Sequence, residues 1–295
     1  MTTRALPSSY TAAGALRRAS PAGREIELPR PHPRRLRRRR LGLGPALRYG
    51  RTFGPLALLV IWSLASLTGV ADPRVLPAPW SVLEAAGGLI ADGRLPANLE
   101  VSVLRALEGL AFGTVTGTVV ALFAGLTRAG EYAFDGVVEI KRSLPAIALI
   151  PLLMLWLGIG EPMKITVIAI GVFAQVYLPL HAALRGIDAK YVELAETLSV
   201  GRLSFLRNVV LPGALPGFFL GLRLGVNAAW LGLIVVEQIN ATSGIGYMIT
   251  LAGTYGQTDV VIVGLVVYGL LGLLSDALVR LLQRKALSWQ RTLAR

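Results

Sequence analysis

Arg223 is a cation in the middle of an otherwise apolar stretch, 213–236. The next acid along the same stretch of chain is Glu237, 14 residues on, about 21 Å away at the helical rise of 1.5 Å per residue. Such a charge snorkels, pairs across helices, or faces water in a pathway where it meets a passing anion. Arg105 and Glu108 are three residues apart and can pair along one helix face. Trp230 and Tyr268 read as packing residues, and Glu237 and Asp276, near the ends of apolar stretches, need not be buried. The chemistry these residues suggest is the handling of charge inside an apolar medium, not bond breaking.

Other chemistry is excluded by residue type. The chain has no Cys, so disulfide scaffolds, thiol nucleophiles, Cys-ligated zinc and iron–sulfur clusters are ruled out. His32 and His181 are too far apart for an HExxH metal motif, so no metal or other cofactor is expected. The four lysines, Lys141, Lys164, Lys190 and Lys285, never follow a glycine, which removes the Gly-Lys-[Ser/Thr] phosphate loop and nucleotide hydrolysis by that route. An enzyme would need converging titratable groups. The apolar stretches hold no His cluster and no carboxylate pair.

The elements that position these residues follow from composition. The chain has 295 residues, 54 % of them hydrophobic and only 16 % charged, against about 25 % charged in soluble domains. Mean hydropathy is +0.60. These values indicate an all-α polytopic membrane protein. About 20 apolar residues cross a bilayer as a helix, and six stretches qualify, at about 52–71, 105–127, 143–160, 165–184, 213–236 and 260–282. The charge-free run 238–258 is rich in Gly, Thr, Ser, Asn and Gln and reads as loop plus short interfacial helix.

Of the net charge of +13, residues 1–51 carry +11, from 13 Arg and two Glu. The segment reads as a disordered, Arg-rich cytoplasmic tail that pins the first span, rather than as a nucleic-acid patch. With both termini inside, inward segments hold 25 Lys and Arg (including Lys141 and Arg142), while outward segments hold Arg74, Arg94 and Lys164. Making 238–258 a seventh span would move the cations near the C-terminus outside, against the positive-inside bias. The expected domains are the tail 1–51, a transmembrane region 52–285 and a cytoplasmic tail 286–295. The whole is a multi-pass protein of the cell membrane, in contact with lipid.

Three segments have further organisation. Between the first two spans, Leu76-Pro77-Ala78-Pro79-Trp80-Ser81 reads as a turn into a short amphipathic helix on the outer side. Small residues recur every four positions at Gly109, Gly113, Gly117, Ala121 and Gly125, and at Gly213, Gly217, Gly221, Gly225 and Ala229. Such ridges allow close helix packing, or an oligomer interface. In the longest inward loop, 186–212, Tyr191, Leu194, Ala195 and Leu198 share one helix face, then a break at Ser199-Val200-Gly201 precedes a second apolar face at 203–210. The pair reads as a helix–turn–helix on the cytoplasmic membrane surface.

Within that loop, Glu193-Leu194-Ala195, Ser199 and Val209-Val210-Leu211-Pro212 resemble the EAA loop of ABC importer permeases. The spacing matches throughout, with Leu194 in place of Ala and Ser199 in place of Gly. Gly201 is the residue that could supply the turn in its stead. Leu76-Pro77-Ala78-Pro79, Arg142-Ser143-Leu144-Pro145-Ala146-Ile147-Ala148-Leu149-Ile150-Pro151-Leu152, Gly221-Leu222-Arg223 with Trp230 and Glu237, and Ser243-Gly244-Ile245-Gly246-Tyr247 are similar to the aliphatic sulfonate, taurine and nitrate permeases. Asn227 replaces an expected small residue.

The resemblance implies a type I importer fold in which two permease copies form the pathway. Separate ABC ATPase subunits would power it, and an extracytoplasmic substrate-binding protein would deliver the cargo. Glu193, Leu194, Ala195, Ser199, Gly201, Leu211 and Pro212 would couple to the ATPase, and Arg105, Glu108, Arg223, Asn227 and Trp230 are the candidates for the pathway. Two other readings stay open: the same machine carrying another small solute, such as a thiamine pyrimidine precursor, and a secondary carrier.

Overall fold

The computed structural model describes residues 50–70 and 72–289, and the basic tail's first 49 residues lie outside that range. The described residues are helical, with no strand among them. In chain order they form α1 (Gly50–Leu67), α2 (Pro79–Ala91), α3 (Arg94–Leu126), α4 (Arg128–Ser143), a 3-10 turn (Ala146–Leu149) and α5 (Ile150–Leu157). There follow α6 (Glu161–Arg185), α7 (Ala189–Thr197), α8 (Arg202–Phe205), a π turn (Leu206–Val210), α9 (Leu211–Asn240), α10 (Ile245–Thr254) and α11 (Thr258–Ala286).

Among the described residues, four helical runs are long and apolar enough to cross a bilayer: Arg94–Leu126, Glu161–Arg185, Arg202–Ile239 and Thr258–Ala286. A fifth candidate is the pair Arg128–Ser143 and Ala146–Leu157, bent by 94°. The charge-free run 143–160 is therefore not one straight helix. Pro145 has no N–H to give, and it disfavours helical geometry at Leu144, which adopts φ −100° and ψ 118°. The eight residues of α5 reach only about 12 Å. The first helix is 18 residues long, about 27 Å, so it is close to the thickness of the hydrocarbon core.

α6 is the centre of the packing, and both small-residue ridges lie against it. A Cβ added to Gly113 would stand 2.6 Å from the Ala169 carbonyl oxygen, and one on Gly117 would stand 2.8 Å from that of Phe173. On the other side, a Cβ on Gly217 would meet the Pro179 carbonyl oxygen at 2.6 Å, and one on Gly221 would meet Val176 Cα at 2.9 Å. Backbone thus lies on backbone across α3–α6 and α6–α9, as small residues permit in a bilayer. The ridges are consumed within the chain, so the oligomer-interface reading does not hold for these faces. Met163, Val167, Ile168, Val172, Val176 and Tyr177 of α6 are almost wholly buried as a result.

The outer segment folds as its sequence indicates. Pro79 opens α2, whose Val82 and Leu89 are buried. The preceding turn is tied at both ends: Trp62 Nε1 donates to the Pro77 carbonyl at 3.1 Å, and Thr258 Oγ1 donates to that of Arg74 at 2.7 Å. The run 238–258 is not a span. Its helix α10 has ten residues, but it is buried along Ile245, Met248, Ile249 and Ala252 rather than lying at an interface.

Candidate functional site

The charges that the sequence places in apolar stretches separate into three groups. At one end of the bundle, Glu237 is only 1 % exposed, contrary to the expectation for a residue near a span end. Its Oε1 accepts from Ser102 Oγ and Arg105 Nη1, both at 2.8 Å, and its Oε2 accepts from Tyr268 Oη and the Gly246 N–H, again at 2.8 Å. Ser102 Oγ in turn accepts from the Ile245 N–H at 2.8 Å. The N-terminus of α10 therefore cradles an anion, which its free N–H groups and dipole favour.

Arg105 completes this network. Its Nε and Nη2 form a fork on Glu161, both at 2.6 Å, and its remaining N–H groups reach Glu237, the Ser243 carbonyl and Ser243 Oγ. All five guanidinium donors are used. Lys164, also buried, donates to Glu161 Oε1 at 2.9 Å, so two cations and two carboxylates balance. Glu108 is exposed and forms no ion pair among the described residues, so the Arg105–Glu108 pair expected along one helix face does not form. Five elements meet at this point: α3, α6, α9, the start of α10 and α11. It is a structural knot, and Arg105 is not open to a passing solute there.

The glycines of Ser243-Gly244-Ile245-Gly246-Tyr247 have their reason here. Gly244 takes φ +110°, a region that L side chains rarely adopt, and a Cβ there would collide with the Glu237 carboxylate. One on Gly246 would stand 2.6 Å from Glu237 Cβ. Sequence reading missed the knot because hydrogen-bonded members such as Ser102 and Ile245 lie 143 residues apart. The one legible signal was the pair of glycines shortly after a carboxylate in an apolar run.

The second group is on α9 and α11. Arg223 pairs across helices, its Nε 2.5 Å from Asp276 Oδ1, and Arg280 holds the other oxygen at 3.1 Å. Of the three outcomes weighed for Arg223, pairing is the one observed. Trp230 packs edge-on to Tyr268, with ring centroids 6.2 Å apart, and donates to Ser275 Oγ at 3.2 Å. Asn227 is exposed on the same helix face as Arg223, with Leu220, Leu224 and Leu231.

The third group lies where the bend falls. Because α4 is a helix through Ser143, Lys141 and Arg142 are not in an inward loop. They line a cavity of about 240 Å³ with Gly171 and Gln175 of α6 and Ala228 and Gly232 of α9, level with the middle of both long helices. Arg142 is paired with Glu139 at 2.6 Å. The Lys141 ammonium has no ion pair or hydrogen bond among the described residues. Removing these two from the inward count weakens the cation asymmetry without reversing it.

The loop 186–212 forms the helix expected from its periodicity. Asp188 caps α7 by accepting from the Lys190 N–H at 3.0 Å, and no residue of α7 is buried. Tyr191, Leu194 and Leu198 are 56 %, 54 % and 65 % exposed, so the apolar face is bare. Glu193 and Glu196 are exposed beside it. The second helix expected on the membrane surface is instead continuous with the fifth span, in one run Arg202–Ile239. The π turn before Leu211-Pro212 carries the chain past a residue that cannot donate.

The turn itself differs from expectation. Ser199, not Gly201, takes the left-handed conformation, at φ 51°, while Gly201 is extended at φ −62°. The Val200 N–H bonds the Ala195 carbonyl at 2.8 Å and the Ser199 N–H bonds that of Glu196 at 3.0 Å. This nested pair is a Schellman C-cap.

Residues 113–288 match the family of binding-protein-dependent transport system inner membrane components. The chain belongs to that family. The permease is 37 % identical over 246 residues to the aliphatic sulfonates transport permease protein SsuC of Bacillus subtilis, covering 82 % of this chain and 89 % of the relative. It is 40 % identical over 243 residues to that of Escherichia coli, covering 82 % and 92 %. It is 33 % identical over 244 residues to the taurine transport system permease protein TauC of Escherichia coli, covering 81 % and 89 %. A crystal structure of an amino acid ABC transporter with histidines shares the fold, with TM-score 0.55, 17 % identity, and coverage of 70 % of this permease and 97 % of that chain. This permease is thus a transport subunit of a type I ABC importer, not an enzyme. Its family works with a separate ATPase and with a binding protein.

Proposed function

We propose that this permease imports aliphatic sulfonates or taurine, and that α7 is its contact with the ATPase. Identity of 33–40 % to sulfonate and taurine permeases over four-fifths of the chain supports the cargo. The bare apolar face of α7 is the observation that carries the coupling: Tyr191, Leu194 and Leu198 fill a cleft of the partner, while Glu193 meets one of its cations. Leu194, Ala195 and Glu193 present the contact, Ser199 and Gly201 set the turn, and Leu211-Pro212 joins it to the fifth span. The loop faces the cytoplasm, as do both termini. Two copies of the chain form the pathway, with the exposed face of α9 that carries Arg223 and Asn227 turned towards it.

The test is reconstitution with the ATPase and binding protein in vesicles. Uptake of taurine or ethanesulfonate against a thiamine-pyrimidine control decides the cargo. Removing one partner of a desolvated charge pair costs about 2–5 kcal/mol. Glu193→Lys should therefore leave the permease in the membrane and abolish substrate-stimulated ATP hydrolysis. Leu194→Cys, in a chain with no other cysteine, should crosslink to the ATPase. Normal transport by the first variant together with no crosslink from the second overturns the coupling reading.

A further inference from the structure

A bare ammonium at mid-bilayer depth is costly, and such groups mark ion or substrate paths. Lys141 is such a group. It stands half-buried with no ion pair among the described residues, and it borders both the 240 Å³ cavity and a neighbouring one of about 750 Å³ between α3, the 3-10 turn and α6, which Glu161, already held by Arg105 and Lys164, also lines. The cations of the neighbouring helices are answered: Arg105 by Glu161 and Glu237, Arg223 by Asp276, and Arg142 by Glu139. The bend at Pro145 is what puts Lys141 there. It ends α4 opposite the middle of α6 rather than at either surface.

The walls of the smaller cavity suit a particular ligand class. Lys141 and Arg142 offer positive N–H donors and Gln175 an amide, while Ala146, Ala174, Ala228 and Leu231 are apolar. A volume of about 240 Å³ equals about eight waters at ~30 Å³ each, room for a small anion with a two- or three-carbon tail. We propose that this cavity is an anion site on the translocation path, in which Lys141 and Arg142 receive the sulfonate oxygens and the apolar wall receives the alkyl chain. The chemical class of the anion rests on the cargo reading above; the site's preference for an anion rests on the unanswered cation.

Gly171 gives a direct probe, because a Cβ added there meets only Ala146 Cβ, at 3.8 Å. In the assembled complex in phosphatidylcholine vesicles, Gly171→Cys is labelled with 2-sulfonatoethyl methanethiosulfonate, itself an ethanesulfonate, and with its trimethylammonium analogue. The anionic reagent should react faster, and ethanesulfonate should slow it. Adding Lys141→Met should lower the anion-to-cation rate ratio about tenfold, the scale of one nearby charge at intermediate dielectric, while Lys141→Arg should preserve it. A ratio unchanged by Lys141→Met overturns the site, as does an absence of protection by ethanesulfonate in the chain that keeps Lys141. The protection arm needs no Lys141 variant, so it holds even if Lys141→Met fails to assemble. Protection given by anionic lipid in place of ethanesulfonate assigns the cavity to a lipid phosphate and also overturns it. A permease that imports no sulfonate yet keeps the Lys141-dependent ratio retains the anion site and loses the cargo; import with no such ratio does the reverse.

Discussion

Ser199 holds the left-handed conformation that closes α7, at φ 51°. An L-residue other than glycine is disfavoured there by about 1–2 kcal/mol. The EAA pattern that this loop resembles has Gly at this position, and here the chain keeps the turn at Ser199 instead of moving it to Gly201. Ser199→Gly should raise the midpoint of thermal unfolding in detergent and leave coupling intact, whereas Ser199→Val should lower it; equal midpoints would show that the turn carries no strain. Glu237 is the other residue on which much depends, since it accepts from four donors on three helices at once. Removing one partner of a buried ion pair costs about 3–5 kcal/mol because the other charge stays behind. Glu237→Ala should therefore destabilise the bundle far more than Glu108→Ala, whose side chain is exposed, and a thermal-shift comparison of the two reads this directly.

The helices divide by what they pack on. α6 is enclosed by glycine ridges from both sides, so its neighbours approach to backbone contact and tolerate no added volume there. Gly221→Ala would set a methyl 2.9 Å from Val176 Cα and 3.0 Å from the Gln175 carbonyl oxygen, both backbone atoms that cannot rotate away. Overpacking of this kind costs about 1–3 kcal/mol. The yield of monodisperse protein should fall for Gly221→Ala, while Gly269→Ala, where a Cβ meets nothing within 4 Å, should behave like the parent chain. α7 is the opposite case, a helix with no buried residue and a bare apolar face. An element packed so little within its own chain suits the ATPase contact proposed for it.

At the scale of the molecule, one end of the bundle is tied by the Arg105–Glu237 knot, and the proposed topology turns that end outward and α7 inward. This polarity agrees with a chain whose cation-rich segments face the cytoplasm. A reporter fused at Arg295 should show no periplasmic alkaline phosphatase activity, and one fused near Gly93 should show strong activity. The reverse pattern would invert the topology and place α7 where no ATPase could reach it.

Composition and periodicity alone determined that this is an all-helical membrane protein, where α2 begins, and that an amphipathic helix lies at 191–198. Each of these depends on neighbours in sequence: an apolar run, a proline at a first turn, a repeat of 3.6. The spacing of the EAA-like loop was also local, and it was enough to suggest the family. What tertiary structure decided was how charges and small residues are answered. Arg105 lies three residues from Glu108 yet pairs with Glu161 and Glu237, because a buried guanidinium is costly unless a carboxylate reaches it there, and Glu108 stays exposed. Lys141 read as an inward loop cation until the bend at Pro145 carried it to mid-depth. A charge's partner and depth depend on which helices meet, and that is fixed by packing across segments from 53 to 132 residues apart.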